Sequence, residues 1–538
     1  MNGAEYIVSL LESIGVKQAF MVNGGGAMYL NDAFSKSERI NVTYCHHEQA
    51  CAMAAVGYSK YNNAVVVVVT STGCGSTNAM TGLLDAWQDG NKVLFISGNV
   101  SLSDSDKVGI GKSRKYGVQG ANIIELVSPI TVYSNIIRRS SVINRMLSDA
   151  INKMNEESGP AWLDVPMDVQ AGIVNHTDCT VKYYEYIDRI RSSERPIVVA
   201  GYGIRQSNTV EQFVDFINRT GIPFVTTYLG IDYFPSDHPL NIGRLGTKGD
   251  RAGNYAVRQS DLVIVLGSSL TVPVVGYGDD FGKLNILNIN KDDNIYLGEF
   301  FGVCSTMEYI LRSSWMYQCN VWKQQWPVFQ NEYKNVLNGI NIYLLLEKIH
   351  EFSHKDSVIV SDAGSVYYAT SQAYRIKGNQ RYITSGGQAD MGFSLPAAIG
   401  AALASNKQVI ALTGDGSVQM NIQELGTLAK LAHLNIKLLV VNNGGYLSIR
   451  NTANKFFGGH IRGTDENNGL KFPDLGYISD AYGLMYTKIE GGGLWQLENI
   501  FKRSGAEIVE VICQKEQEIL PCAAKGHNLD DMYPFLNK

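Results

Sequence analysis

Short apolar runs recur along the chain, and each is followed by glycine-rich residues and then by a helical pattern. Residues 65–70 are five valines and a threonine, and residues 71–77, which follow them, contain two glycines. The same succession appears at 196–200, 357–360 and 409–412. Runs of this length fit strands buried on both faces, and strands that alternate with helices are typical of parallel sheets. The pattern therefore predicts an α/β fold.

Two polar segments divide this pattern into three stretches. Residues 176–194 are rich in tyrosine, arginine and other charged side chains and show no apolar period, and a second boundary lies near 325–340. A length of 538 residues also suggests about three domains. We therefore predict three doubly wound parallel-sheet domains and a C-terminal tail, at residues 1–175, 190–325, 340–525 and 526–538.

Composition and charge exclude several classes of protein. Hydrophobic residues make up 45% of the chain and charged residues 18%, which excludes a disordered chain. The net charge of −5 offers no basic surface for nucleic acid. No apolar run approaches the roughly 20 residues that span a bilayer. The eight cysteines show no CxxC spacing and the N-terminus lacks a basic leader. We therefore expect a cytoplasmic protein with reduced thiols and with no nucleic-acid or membrane partner.

The clearest chemical signal lies in the third stretch. An aspartate between two glycines follows the apolar run at 409–412, and Asn443 follows the next apolar run, at 436–441. The carboxyl ends of parallel strands face a common crevice, and carboxylate and amide oxygens suit Mg²⁺. An isolated Gly-Asp-Gly would more simply be a strand-to-helix turn, but the second signal favours a site for Mg²⁺ and a diphosphate. The candidate metal ligands are Asp415, Asn443 and the carbonyl of Gly445, and the candidate phosphate-binding residues are Gly414, Gly416 and Ser417.

The spacing from this Gly-Asp-Gly to Asn442-Asn443 resembles the cofactor motif of thiamine-diphosphate-dependent enzymes. Further segments resemble that family's signatures in the same order, and the resemblance, which spans nearly the whole chain, is nearest to the acetolactate-synthase-like group. It implies thiamine diphosphate and Mg²⁺ as cofactors, a pyrimidine-binding N-terminal domain and a diphosphate-binding C-terminal domain. The segments are His47-Glu48-Gln49-Ala50, residues 71–78 with Gly82-Leu83-Leu84-Asp85-Ala86, residues 159–166 and residues 385–398.

The same resemblance implies roles for individual residues. Glu48 would bond the pyrimidine ring of the cofactor and favour its imino tautomer, and the apolar helix after it implies a buried carboxyl. Met391 would hold the cofactor bent, and the main chain near Ala389 would bind the aminopyrimidine. From the residues alone, the alternative for Glu48 is a surface glutamate at a helix start, and Met391 would more simply be a core methionine. Gly364, Ser365 and Tyr446 complete the implied cofactor-binding set.

Departures from related enzymes favour carboligation over release of an aldehyde. Simple keto-acid decarboxylases carry an acidic residue after the two asparagines, but residues 446–450 contain none. They also carry a histidine pair in a loop of the first domain, and the corresponding residues 112–119 contain no histidine. Gln119 matches a glutamine near the donor substrate, and Gly25 and Gly26 match glycines that line its pocket. Pyruvate is the expected donor.

Housekeeping acetolactate synthases place an acceptor-selecting tryptophan near the position of Thr452, so the acceptor should differ from theirs. Residues 463–465, 472–475 and 529–536 resemble acetolactate-synthase-like proteins encoded with surface-polysaccharide genes. The resemblance therefore implies either a second keto acid or a keto-sugar nucleotide as the acceptor. A decarboxylase or lyase and a catalytically silent family member remain alternatives.

Flavin and assembly are further implications of the resemblance. The loops at 201–203, 226–230 and 243–249 resemble FAD-binding loops of acetolactate synthases, but residues 267–270 lack the arginine usual there. FAD and an empty structural domain therefore both remain open. The family pattern also implies a homodimer at least, and a homotetramer as a dimer of dimers.

Overall fold

The computed structural model describes residues 1–105, 118–172, 187–278, 280–290, 297–305, 309 and 313–536. They form three parallel sheets with helices between the strands, which confirms the predicted α/β fold. The chain divides into two compact units. The first comprises the described residues of 1–181 with 385–406 and 420–436, and the second comprises those of 182–384, 407–419 and 437–538.

The first sheet has six strands in the order β2-β1-β3-β4-β6-β5. Its central strand β3 is fully buried, as its run of valines predicts. The strands are β1 Gln18–Met21, β2 Asn41–Tyr44, β3 Val66–Thr70, β4 Val93–Asn99, β5 Tyr133–Ile136 and β6 Ala161–Pro166. The helices are α1 Gly3–Ser13, α2 Met28–Lys36, α3 Glu48–Asn62, α4 Cys74–Asn78, α5 Met80–Gln88, α6 Leu102–Ser105, α7 Ile123–Val127, α8 Ile143–Glu157 and α9 Met167–Ala171.

The central sheet has five strands in the order β11-β10-β7-β8-β9. The segment 176–194 was predicted to be a linker, but its described part includes a short helix, α10. Arginines interrupt the apolar residues of this helix, so the sequence shows no clear helical period. The strands are β7 Pro196–Ala200, β8 Phe224–Thr226, β9 Asn241–Arg244, β10 Leu262–Leu266 and β11 Ile286–Ile289. The helices are α10 Ile187–Ser192, α11 Gly203–Gln206, α12 Val210–Thr220, α13 Arg251–Gln259, α14 Val272–Val275, α15 Leu297–Cys304 and α16 Ser313–Gln325.

The third sheet has six strands in the order β13-β12-β14-β15-β17-β16, and a two-stranded antiparallel pair, β18 with β19, follows it in the chain. The strands are β12 Val358–Ser361, β13 Arg381–Thr384, β14 Val409–Gly414, β15 Ile436–Asn442, β16 Met485–Ile489, β17 Glu507–Ile512, β18 Cys522–Ala523 and β19 Met532–Tyr533. The helices are α17 Ile342–Phe352, α18 Gly364–Ala373, α19 Ser394–Ser405, α20 Leu425–Lys430, α21 Leu447–Phe456, α22 Leu475–Tyr482 and α23 Gln496–Lys502.

The first and third sheets share one strand order. Each places its second strand at one edge, then its first, third and fourth strands, and ends on its sixth and fifth. In such sheets the winding reverses between the first and third strands, and ligands bind outside the carboxyl ends of these strands. This switch point lies at β1 and β3 in the first sheet and at β12 and β14 in the third. In the central sheet it lies at β7 and β10.

Two helices of the first unit pack backbone to backbone. A β-carbon on Gly57 of α3 would clash with the Ala397 carbonyl, and one on Gly400 of α19 would clash with the Ala54 carbonyl. Both helices are buried over most of their length, so the small residues at their contact allow the close approach.

A larger side chain at this helix contact should destabilise the unit. We expect Gly400→Val to lower the free energy of unfolding by about 1–3 kcal/mol, because the added methyl groups overpack a filled contact. Denaturant unfolding measures the change. Gly298→Val is the matched control, since a β-carbon there meets no atom of the described residues within 4 Å. Equal stability of the two variants would contradict the packing described.

No helix among the described residues is both long and apolar enough to cross a membrane.

Candidate active site

The loop at residues 71–75 follows β3 and packs against the loop that follows β1. The amide of Gly26 donates to Ser71 Oγ at 3.2 Å, and a β-carbon on Gly24 would clash with the Ser71 side chain. At Gly25 a β-carbon would meet no atom of the described residues within 4 Å. The switch point of the first sheet is therefore built from these two loops.

Glu48 approaches the same loop from the start of α3. Asn78 Nδ2 donates to Glu48 Oε2 at 3.0 Å, and a β-carbon on Gly75 would lie 2.9 Å from Glu48 Oε1. Gly75 thus allows α4 to approach the carboxyl closely, and Asn78 fixes one of its oxygens. Glu48 is half-buried in the single chain rather than fully buried. Sequence reasoning gave no role to Asn78, although it lies in the 71–78 signature.

Gln119 reaches the loop from its other side. The Thr72 hydroxyl donates to the Gln119 carbonyl at 3.1 Å, and Gln119 Nε2 lies 3.6 Å from Cys74 Sγ. A β-carbon on Gly73 would clash with the same carbonyl, so a glycine is required there. Residues 112–117 of this predicted loop lie outside the described residues. The structure therefore brings Gln119 and Glu48 to one short loop, together with Gly25 and Gly26.

A turn at residues 385–391 carries Ala389 and Met391, also in the first unit. Ala389 has a φ of +56°, and its amide donates to the Ser385 carbonyl at 3.0 Å. The Asp89 carboxylate accepts from the amides of Gly386 at 2.8 Å and Gly387 at 2.6 Å. Asp89 therefore fixes the beginning of the turn. Sequence reasoning missed it, because its role arises from contacts with residues nearly 300 positions away.

The charge of Asp89 is balanced inside the protein. Lys60, which is fully buried, forms an ion pair with it. The neighbouring Asp85 accepts from Ser385 Oγ at 3.0 Å, and burial raises the pKa of the Asp85 carboxyl well above its ordinary value. The buried carboxylate of Asp89 is thus compensated by Lys60 and by two amides of the turn, as a buried charge must be to persist.

The second unit contains the aspartate between two glycines. Asp415 follows β14, and its two carboxylate oxygens accept from the Gly416 amide at 2.8 Å and the Gly445 amide at 2.7 Å. Burial raises the pKa of Asp415 to about 6, which indicates that these amides alone do not compensate its charge. The loops after β14 and β15 are thus joined through one carboxylate.

Asn443 has an unsatisfied oxygen beside this carboxylate. Asn443 Oδ1 is buried and has no hydrogen-bond partner among the described residues. A buried amide oxygen without a partner is costly, and a hard cation would satisfy it. The Gly445 carbonyl accepts from the Leu447 amide at 2.9 Å and has a second lone pair. Asp415, Asn443 and Gly445 therefore fit a Mg²⁺ site by donor chemistry.

The predicted phosphate-binding residues surround the same switch point. A β-carbon on Gly416 would clash with the ring of Tyr446, so Tyr446 lies directly on the glycine. Gly364 has a φ of +64°, and Ser365 Oγ lies 3.1 Å from Ser448 Oγ. These serines stand in the first turns of α18 and α21, so two helix N-termini converge where a phosphate would bind. Sequence reasoning did not identify Ser448. Gly414 and Ser417 lie on either side of Asp415 and Gly416.

Three family models match the chain in order. The N-terminal TPP binding domain of thiamine pyrophosphate enzymes matches residues 1–125, the central domain 184–295 and the C-terminal TPP binding domain 362–509. The chain is a thiamine pyrophosphate enzyme. Its two matched TPP binding domains identify thiamine diphosphate as the cofactor.

This thiamine pyrophosphate enzyme is similar to acetolactate synthases over nearly its full length. It is 29% identical to the acetolactate synthase large subunit of Lactococcus lactis, over 99% of this chain and 96% of that protein. It is 26% identical to the isozyme 1 large subunit of Escherichia coli, over 98% of this chain and 96% of that protein. It is 26% identical to chloroplastic acetolactate synthase 2 of Nicotiana tabacum, over 99% and 85%. The enzyme therefore belongs to the acetolactate-synthase-like group.

At the central switch point of the enzyme, main-chain hydrogen bonds join the loops that follow β7 and β10. The Gly201 amide donates to the Leu266 carbonyl and the Gly203 amide to the Gly267 carbonyl, both at 2.9 Å. These two amides are therefore already bonded to main-chain carbonyls, and α11, which has four residues, offers little helix dipole.

The C-terminal tail covers the same edge of the central sheet. The Ala523 amide donates to the Thr247 carbonyl at 2.8 Å, and Asn254 Nδ2 donates to the Leu529 carbonyl at 3.1 Å. Arg251, at the start of α13, donates to the Met532 carbonyl at 3.1 Å. Helix starts and loops after strands both lie at the carboxyl edge of a parallel sheet. The tail therefore covers part of the carboxyl edge of the central sheet, near the loop that follows β9.

Proposed function

We propose that this enzyme is a thiamine-diphosphate- and Mg²⁺-dependent carboligase. It decarboxylates a 2-keto acid, with pyruvate as the donor, and transfers the two-carbon unit to a carbonyl acceptor. The observation that carries the proposal is the convergence of Glu48, Gln119 and Gly26 on one segment, residues 71–75, at the switch point of the first sheet. The similarity to proteins named acetolactate synthases supports keto-acid carboligation as the reaction class.

The residues of the first unit would bind the cofactor ring and the donor. Thiamine diphosphate, when bound, supplies the electron sink for decarboxylation. Glu48 would hold a proton at the cofactor's pyrimidine nitrogen, with its carboxyl oriented by Asn78. Gln119 would donate its amide to the donor carboxylate. Gly25, which has no side chain, would leave room for the donor.

The residues of the second unit would bind the diphosphate through Mg²⁺. Asp415, Asn443 and the Gly445 carbonyl would bind the cation, and the first turns of α18 and α21 would bind phosphate oxygens through Ser365 and Ser448. The unsatisfied Asn443 oxygen supports a cation at this place.

The side chains of α21 favour ligation over protonation to an aldehyde. The sequence from Tyr446 to Thr452 contains no acidic residue, and the Thr452 hydroxyl donates to the Ser448 carbonyl at 2.9 Å. Ile449 on the same helix is 56% exposed. This helix therefore presents no general acid that would protonate the two-carbon unit to an aldehyde. Its exposed face leaves room for a carbonyl acceptor, either a second keto acid or a keto-sugar nucleotide.

The effect of added acceptors on CO₂ release tests the proposal. Purified enzyme with thiamine diphosphate, Mg²⁺ and pyruvate is assayed for CO₂ release alone, with 2-ketobutyrate, and with a nucleotide-linked keto-sugar. We expect release to accelerate with one acceptor, together with a product that carries two added carbons. Release that no acceptor changes, with acetaldehyde as sole product, would favour the decarboxylase alternative.

The enzyme should work without flavin. We expect purified protein to show no flavin absorbance and added FAD to leave turnover unchanged, because the Gly201 and Gly203 amides already bond main-chain carbonyls. Absorbance of the denatured supernatant measures any bound flavin. One flavin per chain would contradict the proposal.

We also propose a homodimer at least, and a homotetramer as a dimer of dimers, in the cytoplasm. Light scattering during size-exclusion chromatography measures the mass. A monomer that turns over at full rate would contradict this assembly.

A further inference from the structure

Arg450 is a buried cation that the proposed reaction does not use. It lies on α21 and is 4% exposed. Its guanidinium donates to the Asn443 carbonyl at 3.0 Å, the Gly444 carbonyl at 3.3 Å and the Lys515 carbonyl at 2.8 Å. Its Nε lies 3.6 Å from an oxygen of the largely exposed Glu516. A buried arginine directed at three main-chain carbonyls fixes the backbone around it.

The loop that Arg450 contacts needs such support. Gly444 and Gly445 have φ values of +72° and +126°, which other residues rarely adopt. Consecutive glycines lose much conformational freedom when they are fixed in one conformation. The Tyr446 amide donates to the Thr464 carbonyl at 2.9 Å. A β-carbon on Gly445 would lie 3.1 Å from Arg450 Nη1 and would clash with the Thr464 carbonyl. Arg450 and Thr464 therefore both pack against this loop.

The same loop carries the proposed cation ligands. Arg450 bonds the main-chain oxygen of Asn443, whose side-chain oxygen is the unsatisfied one, and the main-chain oxygen of Gly444, which precedes Gly445. The Gly445 amide in turn fixes one oxygen of Asp415. We propose that Arg450 is a positioning residue that holds Asn443 and Gly445 in the geometry that binds Mg²⁺. The inference rests on the proposed cation site.

Arginine is suited to this role in a way that lysine is not. Its planar guanidinium presents five donors in a fixed fork and reaches several carbonyls at once. A lysine at this position keeps the positive charge but can place its ammonium against only part of the set. Arg450→Lys therefore separates the geometry of the fork from its charge.

Magnesium-dependent cofactor binding tests the role without an activity assay. Enzyme stripped with EDTA is dialysed against thiamine diphosphate at increasing Mg²⁺, and bound cofactor is measured at each concentration. We expect the half-saturating Mg²⁺ concentration to rise by roughly 10–100-fold in Arg450→Lys, as for residues that orient metal ligands. At saturating Mg²⁺, the variant should bind the same amount of cofactor as the wild type. Arg450→Gln, a second variant, should show the same rise.

Controls distinguish the possible failures. Arg375→Gln removes a half-exposed arginine paired with Glu347 and should leave the titration unchanged. A wild-type midpoint in either Arg450 variant, with a wild-type circular dichroism spectrum, would overturn the positioning role. Asp415→Ala, titrated in parallel, tests the cation site itself. If Asp415→Ala binds cofactor with a wild-type Mg²⁺ midpoint, the proposed cation site is wrong and the inference about Arg450 fails with it.

Discussion

Glu48→Gln should reduce turnover by at least about 100-fold, within the 10²–10⁴-fold range of general acid–base groups. Glutamine has the size of glutamate, and its amide oxygen can still accept from Asn78, so the start of α3 should be unchanged. It cannot hold or transfer a proton at the cofactor ring. The measurement is kcat for CO₂ release at saturating pyruvate, thiamine diphosphate and Mg²⁺.

The matched control for this change is Glu156→Gln, an exposed glutamate on α8 that pairs with Lys153. It should have wild-type kcat. Binding of thiamine diphosphate to Glu48→Gln should persist, since the diphosphate residues lie elsewhere in the chain. Equal kcat in wild type and Glu48→Gln would show that Glu48 is not the proton-handling group.

Asp415→Ala should abolish Mg²⁺-dependent retention of thiamine diphosphate and with it more than about 99% of the activity. The carboxylate is a proposed cation ligand, and it also joins the loops after β14 and β15 through the Gly416 and Gly445 amides. Loss of a charged group with two hydrogen bonds should weaken binding strongly. Cofactor remaining with the protein after gel filtration measures the effect.

Asp480→Asn serves as the control, because Asp480 lies exposed on α22 of the same unit. It should retain cofactor as the wild type does. Full activity and cofactor retention in Asp415→Ala would exclude the cation site proposed at β14 and β15.

The local pattern predicted the strands and the loops at their ends. The valines of β3 and the glycines after it place residues 71–75 at a sheet edge, because buried strands and their turns depend on nearby residues. That the first and third sheets share one strand order was not predictable. Strand order depends on pairings between distant segments, such as β12 with β14, that no local period encodes.

The same difference between local patterns and distant contacts decides which site residues could be predicted. Asp415 and Asn443 were recognisable because each directly follows a strand. Asp89 and Arg450 were not, since their roles consist of hydrogen bonds to backbone groups elsewhere, and such partners have no sequence signature. In the central domain, the loop at 201–203 resembles a flavin-binding loop. That the Gly201 and Gly203 amides bond the Leu266 and Gly267 carbonyls is again a pairing between distant residues that has no sequence signature.

Transfer of labelled carbon tests the proposed carboligation most directly. The enzyme is incubated with thiamine diphosphate, Mg²⁺ and pyruvate labelled with ¹³C at its second and third carbons, together with the acceptor that accelerates CO₂ release. The account predicts unlabelled CO₂ and an acceptor-derived product that carries both labelled carbons on a new carbon–carbon bond. Labelled acetaldehyde without any labelled condensation product, or no CO₂ from an enzyme with bound cofactor, would contradict it.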